Sequence, residues 1–326
     1  MGHRFDYIDR LRGLTMVMVV VVHLTYWALL QPDNYISFVF SPVLMPIFMF
    51  LSGIVISAPP DAKKLKIKLF RFWSPFIIVG LVFTVCYLGP NRYYLFFITP
   101  HKSGYWYLYV LGVFYILLSV FKFNYSKQIK SSVIIDVVIL VGVTLCAYAG
   151  EKFLPRLLSD AFSITHIRQN WMFFYCGFLV RKYNLMHEVF EKDIIFTVSL
   201  VSIVPLYFLL PITSHVFVII SICYVLVLVV LFRNRNSDHS LIEDELARFG
   251  RKSMDIYIFH YFLVSLSGTI KLHELGEWFL RTNNWLMELI FLAFLSILIS
   301  YLSIAIGYII RCSKMLRLFM FGEIEE

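Results

Sequence analysis

The chain has 326 residues, 60% of them hydrophobic and only 15% charged. Uncharged runs of membrane-crossing length recur along nearly all of it, which excludes a soluble globular enzyme and leaves no stretch polar enough for a second, soluble domain. The net charge of +8 does not point to nucleic acid, because Lys and Arg cluster in short loops between apolar runs, as topology signals do. The expected architecture is all-α and polytopic, one transmembrane domain over residues 1–326.

Ten spans are predicted, at about 11–30, 36–57, 74–89, 104–121, 133–150, 168–183, 194–211, 213–232, 254–271 and 285–311. The third, fifth and sixth are short for a full crossing. With the N-terminus placed inside, 22 of the 29 Lys and Arg fall on the cytoplasmic side. The remaining seven (Arg92, Lys102, Lys152, Arg156, Arg168, Lys271 and Arg281) fall outside. That bias predicts an even span count and cytoplasmic N- and C-termini. A cleavable leader is not expected, since the first apolar run is too long and ends in Trp27-Ala28-Leu29-Leu30-Gln31. The five cysteines show no pairing or metal spacing and read as packing thiols.

The first span carries the strongest chemical signal, Asp9-Arg10-Leu11-Arg12-Gly13 followed after nine residues by His23. Eleven residues at 100° each return to within about 20° of the starting direction, roughly 16 Å further along the helix. Arg12 and His23 therefore share a stripe, with Asp9 one turn below. Ionisable groups inside a membrane are costly and face a bundle interior or a wet cavity. His23 is suited to act as a general base toward a hydroxyl, and Arg12 to hold it, bind an anion or stabilise an oxyanion. The plainer reading makes Arg12 an interface marker and His23 a helix-packing residue.

In the second span, Pro46 and Ser52-Gly53 permit a kink and close helix approach. Lys63-Lys64-Leu65-Lys66-Ile67-Lys68-Leu69-Phe70-Arg71 follows as a cytoplasmic loop patch. It serves either topology and anionic lipid headgroups or a phosphorylated ligand. Trp106-Tyr107 opens the fourth span and passes equally for an interfacial aromatic belt. The loop over 233–253 is the most polar part of the chain. Its 243–248 stretch resembles a short interfacial helix, although a solvated connector is the simpler expectation. In the ninth span Tyr257 and His260 lie on one face, fit for structural hydrogen bonding or for catalysis. Asp136 and Glu288 are further acids within spans that require partners.

Taken together these segments resemble acyltransferase family 3 of integral membrane proteins. Arg4 to Gly13 followed by His23 is similar to that family's opening signature, and Phe50-Leu51-Ser52-Gly53 to its second-helix element. Lys68-Leu69-Phe70-Arg71 with Pro75 resembles its basic motif, with Lys68 where Arg is more usual. Trp106-Tyr107-Leu108 and Tyr257 to His260 resemble its later elements. The resemblance implies a ten-helix enzyme of a bacterial cytoplasmic membrane that moves an acyl group, often acetyl, from cytoplasmic acyl-CoA to a hydroxyl of a sugar or cell-envelope glycan. His23, Arg12 and Asp9 would be catalytic. Lys64, Lys68 and Arg71 would bind the phosphates of acetyl-CoA, and Trp106, Tyr257 and His260 are further candidates. No metal and no nucleic-acid partner are expected; membrane lipid is, and homo-oligomerisation stays open. The chain stops twelve residues after Lys314, so the soluble C-terminal domain of many members is not expected. Two other readings remain at this point. A secondary transporter also needs intramembrane ionisable groups, though no paired interrupted helices are visible. A polysaccharide polymerase or ligase is also polytopic and basic, but commonly has larger external loops.

Overall fold

The computed structural model describes residues 6–31, 33–124, 129–209, 213–233, 240–267 and 272–323. Among these, all regular structure is helical. Helices α1 (Asp6–Trp27), α2 (Tyr35–Ile54) and α3 (Ala62–Leu88) come first. After them run α4 (Leu95–Ile98), α5 (Trp106–Val120), α6 (Ile129–Phe153), α7 (Arg156–Ala161) and α8 (Ile164–Lys182). The second half comprises α9 (Met186–Phe190), α10 (Asp193–Phe208), α11 (Ser214–Arg233), α12 (Leu241–Arg251), α13 (Ser253–Ser267), α14 (Leu272–Thr282), α15 (Trp285–Arg311) and α16 (Lys314–Phe321).

Each of the ten predicted spans coincides with one of these helices. Five are long and apolar enough to cross a membrane by length and composition: α2, α3, α6, α11 and α15. Helices α5, α10 and α13 are apolar but shorter. The spans expected to be short are the later parts or the middle of longer helices, of 27 residues in α3, 25 in α6 and 19 in α8.

The basic patch at 63–71 is therefore helix, not loop. Asp61 caps α3 by accepting from the Lys64 amide at 2.8 Å, which fills one orphan donor at the helix N-terminus. That same bond holds the Asp61 carboxyl below its usual range. Lys and Leu, good helix formers, then carry the helix without a break into the apolar segment.

The chain divides into two compact units, Met1–Leu51 with Tyr183–Gly307, and Ser52–Lys182 with Tyr308–Glu326. In the first, α1 packs against α11, α12 and α13, and α10 packs on α11. The stretch expected as a solvated connector is instead a helix docked on α1. Ser240 caps α12, and Glu243, Ala247 and Gly250 form a buried stripe at helical spacing. Two glycines allow this crossing. A Cβ on Gly13 would lie 1.9 Å from the Leu246 carbonyl oxygen, and one on Gly250 would lie 1.8 Å from that of Asp9. Arg10 closes the edge with an ion pair to Glu243 at 3.1 Å and a bond to the Phe232 carbonyl. Glu288, one of the acids lacking an expected partner, accepts from Asn34 at 2.6 Å.

In the second unit α3 packs on α5 and α16, and α6 on α8. Asp136, the other unassigned acid, pairs with Lys182 at 2.6 Å and accepts from the Tyr175 hydroxyl at 2.7 Å. Gly53 lets α2 end against α8, where a Cβ would meet the Phe174 carbonyl oxygen at 1.9 Å. Helix α16, absent from the sequence reading, returns onto α3. Ser74 donates to the Phe319 carbonyl at 2.6 Å, and Gly322, at φ 60°, closes against the backbone of Arg71.

Candidate active site

Within the first unit, α1 and α13 place three ring side chains in a row. His260 is fully buried and its Nδ1 lies 2.9 Å from the Ile256 carbonyl oxygen one turn back. A carbonyl only accepts, so Nδ1 carries the proton and Nε2 of neutral His260 is an acceptor. His23 Nδ1 lies 3.2 Å from that Nε2 and must donate to it. This leaves the lone pair of His23 on Nε2, and the Tyr261 hydroxyl, 3.2 Å away, donates there. The whole chain runs Tyr261 to His23 to His260 to Ile256.

Tyr257 borders this row on the same face of α13, with ring centroids 6.1 Å from His260 and 6.4 Å from Tyr261. Trp27, one turn beyond His23, lies 5.9 Å from the Tyr261 ring. Tyr261 was not anticipated. Its signal was present, since it follows His260 directly and stands four residues after Tyr257, on the same face.

Arg12 shares the stripe of His23 but not its site. Its Nη2 donates to the Leu51 carbonyl oxygen at 3.2 Å, one of the last four carbonyls of α2 that have no intrahelical partner. A guanidinium there also meets the negative end of the helix dipole. Eleven residues of α1 put about 16 Å of rise between Arg12 and His23, more than the two side chains span. Arg12 therefore does not hold His23 by direct contact. Removing this cap by Arg12→Ala is expected to cost about 1 kcal/mol, read as a lowered melting temperature, with Arg12→Lys losing less. Asp9 is buried in the crossing with α12, where its backbone faces Gly250.

The other candidates belong to the second unit. Lys64, Lys68 and Arg71 sit at i, i+4 and i+7 along α3 and form one basic stripe. Lys64 lies 3.8 Å from Asp61, and the Lys68 ammonium stands 5.7 Å from the centre of the Tyr115 ring. Trp106 is not a bare interface residue. Its ring stacks on His166 at 4.0 Å between centroids and 10° between planes. Nε2 of His166 lies 3.2 Å from Nδ1 of His101, a second histidine pair that the sequence did not disclose. Beside it Lys102 is buried and donates to the carbonyl oxygens of Phe97 and Ala161 at 2.5 and 2.7 Å. Tyr107, next to Trp106, bonds Ser52 at 2.9 Å, so two of the sequence motifs meet here. Arg4 and Phe5, which open the first motif, and residues 234–239 of the polar loop lie outside the described residues. No group of three His, Cys, Asp or Glu placed to hold a metal occurs among the described residues.

A protein-family model described as an acyltransferase domain, that of acyltransferase family 3, matches residues 5–305. The chain belongs to this family. With five helices of membrane-crossing length, it is a multi-pass membrane acyltransferase. No curated protein and no solved structure matches the chain.

Proposed function

We propose that this protein transfers an acyl group, acetyl in the simplest case, from cytoplasmic acyl-CoA to a hydroxyl of a sugar or cell-envelope glycan. The observation that supports this reading is the orientation of His23, whose Nε2 offers a lone pair while Nδ1 is committed to His260. In the resting arrangement Tyr261 occupies that lone pair. An acceptor hydroxyl takes its place, gives its proton to Nε2 and attacks the thioester carbonyl carbon. The new O–C bond forms, the C–S bond breaks, and the leaving thiolate takes the proton from His23 to depart as CoA thiol. His260 is a positioning residue, since its Nδ1–H to Ile256 fixes which nitrogen of His23 is basic. No step in this sequence calls on a metal.

The basic stripe of α3 is the proposed grip on the donor. Three cations on one helix face suit the phosphates of CoA. Lys68→Ala and Arg71→Ala are each expected to raise KM for acetyl-CoA about tenfold with kcat little changed, because a phosphate far from the thioester is held alike in ground and transition states. Trp106, Tyr257, Arg12 and Asp9 are assigned supporting roles, the last two through α2 and α12. Ten spans, both termini cytoplasmic, and residence in a bacterial cytoplasmic membrane complete the proposal. The ten coincident helices and the bias of Lys and Arg support the span count and the side of the termini. Contacts with membrane lipid and self-association belong to it as well.

Thermal stability of the purified protein with rising acetyl-CoA, against ATP at matched ionic strength, tests the reading. Ligand at about a hundred times its Kd adds roughly 2.7 kcal/mol, an easily resolved melting shift. A saturable shift specific to acetyl-CoA is expected. An equal shift with ATP, or none, returns the α3 stripe to a topology signal and favours the transporter.

A further inference from the structure

A cavity of about 450 Å³ lies within the first unit, walled by the end of α1, the start of α2, and parts of α10 and α11. That volume is within the range of small-molecule sites. Tyr26, Tyr35, Phe38 and Tyr207 line it with aromatic faces, and Asp33 and Ser41 add polar groups. Among its described lining residues there is no Lys or Arg, and Asp33 carries the one charge. A polyanion such as a nucleotide would meet a carboxylate and no cation here, so the chemistry of this cavity differs from that of the basic stripe of α3.

The lining suits a neutral ring rich in hydroxyls. Flat aromatic faces accept the C–H side of such a ring, while carboxylate, serine and tyrosine oxygens take its hydroxyls. Its position is equally specific. Tyr26 follows His23 by three residues on α1, and residues three apart on a helix are neighbours, with about 5–6 Å between Cβ atoms. The cavity wall thus begins beside the proposed base, at the end of α1 that Thr25 ties to Ser37 of α2.

We infer that this cavity is the acceptor subsite: it holds a neutral polyhydroxylated ring, presents one hydroxyl toward His23, and takes its specificity from Asp33 and Tyr35. The inference rests on the reading of His23 as the base. Asp33 accepts ring hydroxyls and repels anionic acceptors. Tyr35, exposed at the first turn of α2, supplies a face that can be removed without opening the core.

The test uses the full chain in phosphatidylcholine nanodiscs, free of sugar detergents, with the methyl glycosides of glucose, galactose and fucose as probes. At least one glycoside is expected to give a saturable melting shift. Its apparent Kd should rise tenfold or more in Asp33→Asn and in Tyr35→Ala, while the shift with acetyl-CoA shows that each variant is folded. A glycoside shift unaltered in both variants overturns the inference, because the sugar then binds elsewhere. Absence of any glycoside shift beside an intact acetyl-CoA shift also overturns it and makes the cavity a lipid-filled recess. Loss of the acetyl-CoA shift with glycoside binding retained and Asp33-dependent leaves the cavity assigned and removes the transferase reading instead. If neither ligand binds, both readings fall.

Discussion

His23→Ala is expected to abolish acyl transfer while leaving the protein folded. A positioned general base contributes about 10²–10⁴-fold, and no other described side chain presents a free imidazole lone pair in that row, since Nε2 of His260 is occupied by His23. His23 is half-buried at the end of α1 and its replacement leaves the α1–α12 crossing intact. The melting temperature should therefore change far less than the turnover. His260→Ala should lower kcat by a smaller factor, with KM for acetyl-CoA unmoved, because it frees the His23 ring to adopt the wrong tautomer rather than removing the base. Near-normal turnover of His23→Ala, measured with labelled acetyl-CoA in the same membranes, would take His23 out of the mechanism.

The second large effect lies in the crossing of α1 and α12. Gly13→Ala and Gly250→Ala should each destabilise the protein by about 3 kcal/mol, at or above the usual cost of overpacking. Helix propensity alone favours Ala by about 1 kcal/mol. It loses here because the new methyl carbon meets a backbone carbonyl at 1.9 or 1.8 Å, and no rotamer change relieves a backbone contact. The helices must part, and Arg10 and Glu243 with them. A drop of roughly 5 °C in melting temperature, or loss from the membrane fraction, would agree with this. Unchanged melting would mean that the crossing is looser than the geometry requires.

Much of the helical plan was legible because long apolar runs are visible without knowing their neighbours. All ten spans correspond to helices, though ends moved by several residues where Lys-rich turns continue a helix. The two longest elements that escaped notice are short and amphipathic. Helices α14 and α16 bury few residues each, and their apolar content is too small to mark a window. Helix α12 was half legible, since its acidic start and basic end fit a helix dipole, but its docking depends on glycines at 13 and 250, far apart in the chain.

The same limit governs the site. The stripe shared by Arg12 and His23 was readable from period, and the common face of Tyr257 and His260 from one helix. The contact between His23 and His260 spans 237 positions, and no local pattern encodes it. The period fixes a shared stripe, and the same rise of about 16 Å keeps Arg12 out of contact with His23. His101 and His166, 65 positions apart, were missed for the same reason as the His23 partner.

The continuity of α3 has a consequence for the proposed grip on a charged donor. A loop of lysines would follow its ligand, but cations on a helix that runs unbroken to Leu88 behave as marks on a ruler. From Lys64 to Arg71 the rise is about 10.5 Å, and both the height and the bearing of each mark are set by the apolar half packed on α5. Pro75 and Phe76 anchor that half. Adding a single residue between Arg71 and Pro75 would keep every charge and swing the row by about 100°. For this protein, then, the aim of the basic stripe is encoded in residue count as much as in residue type.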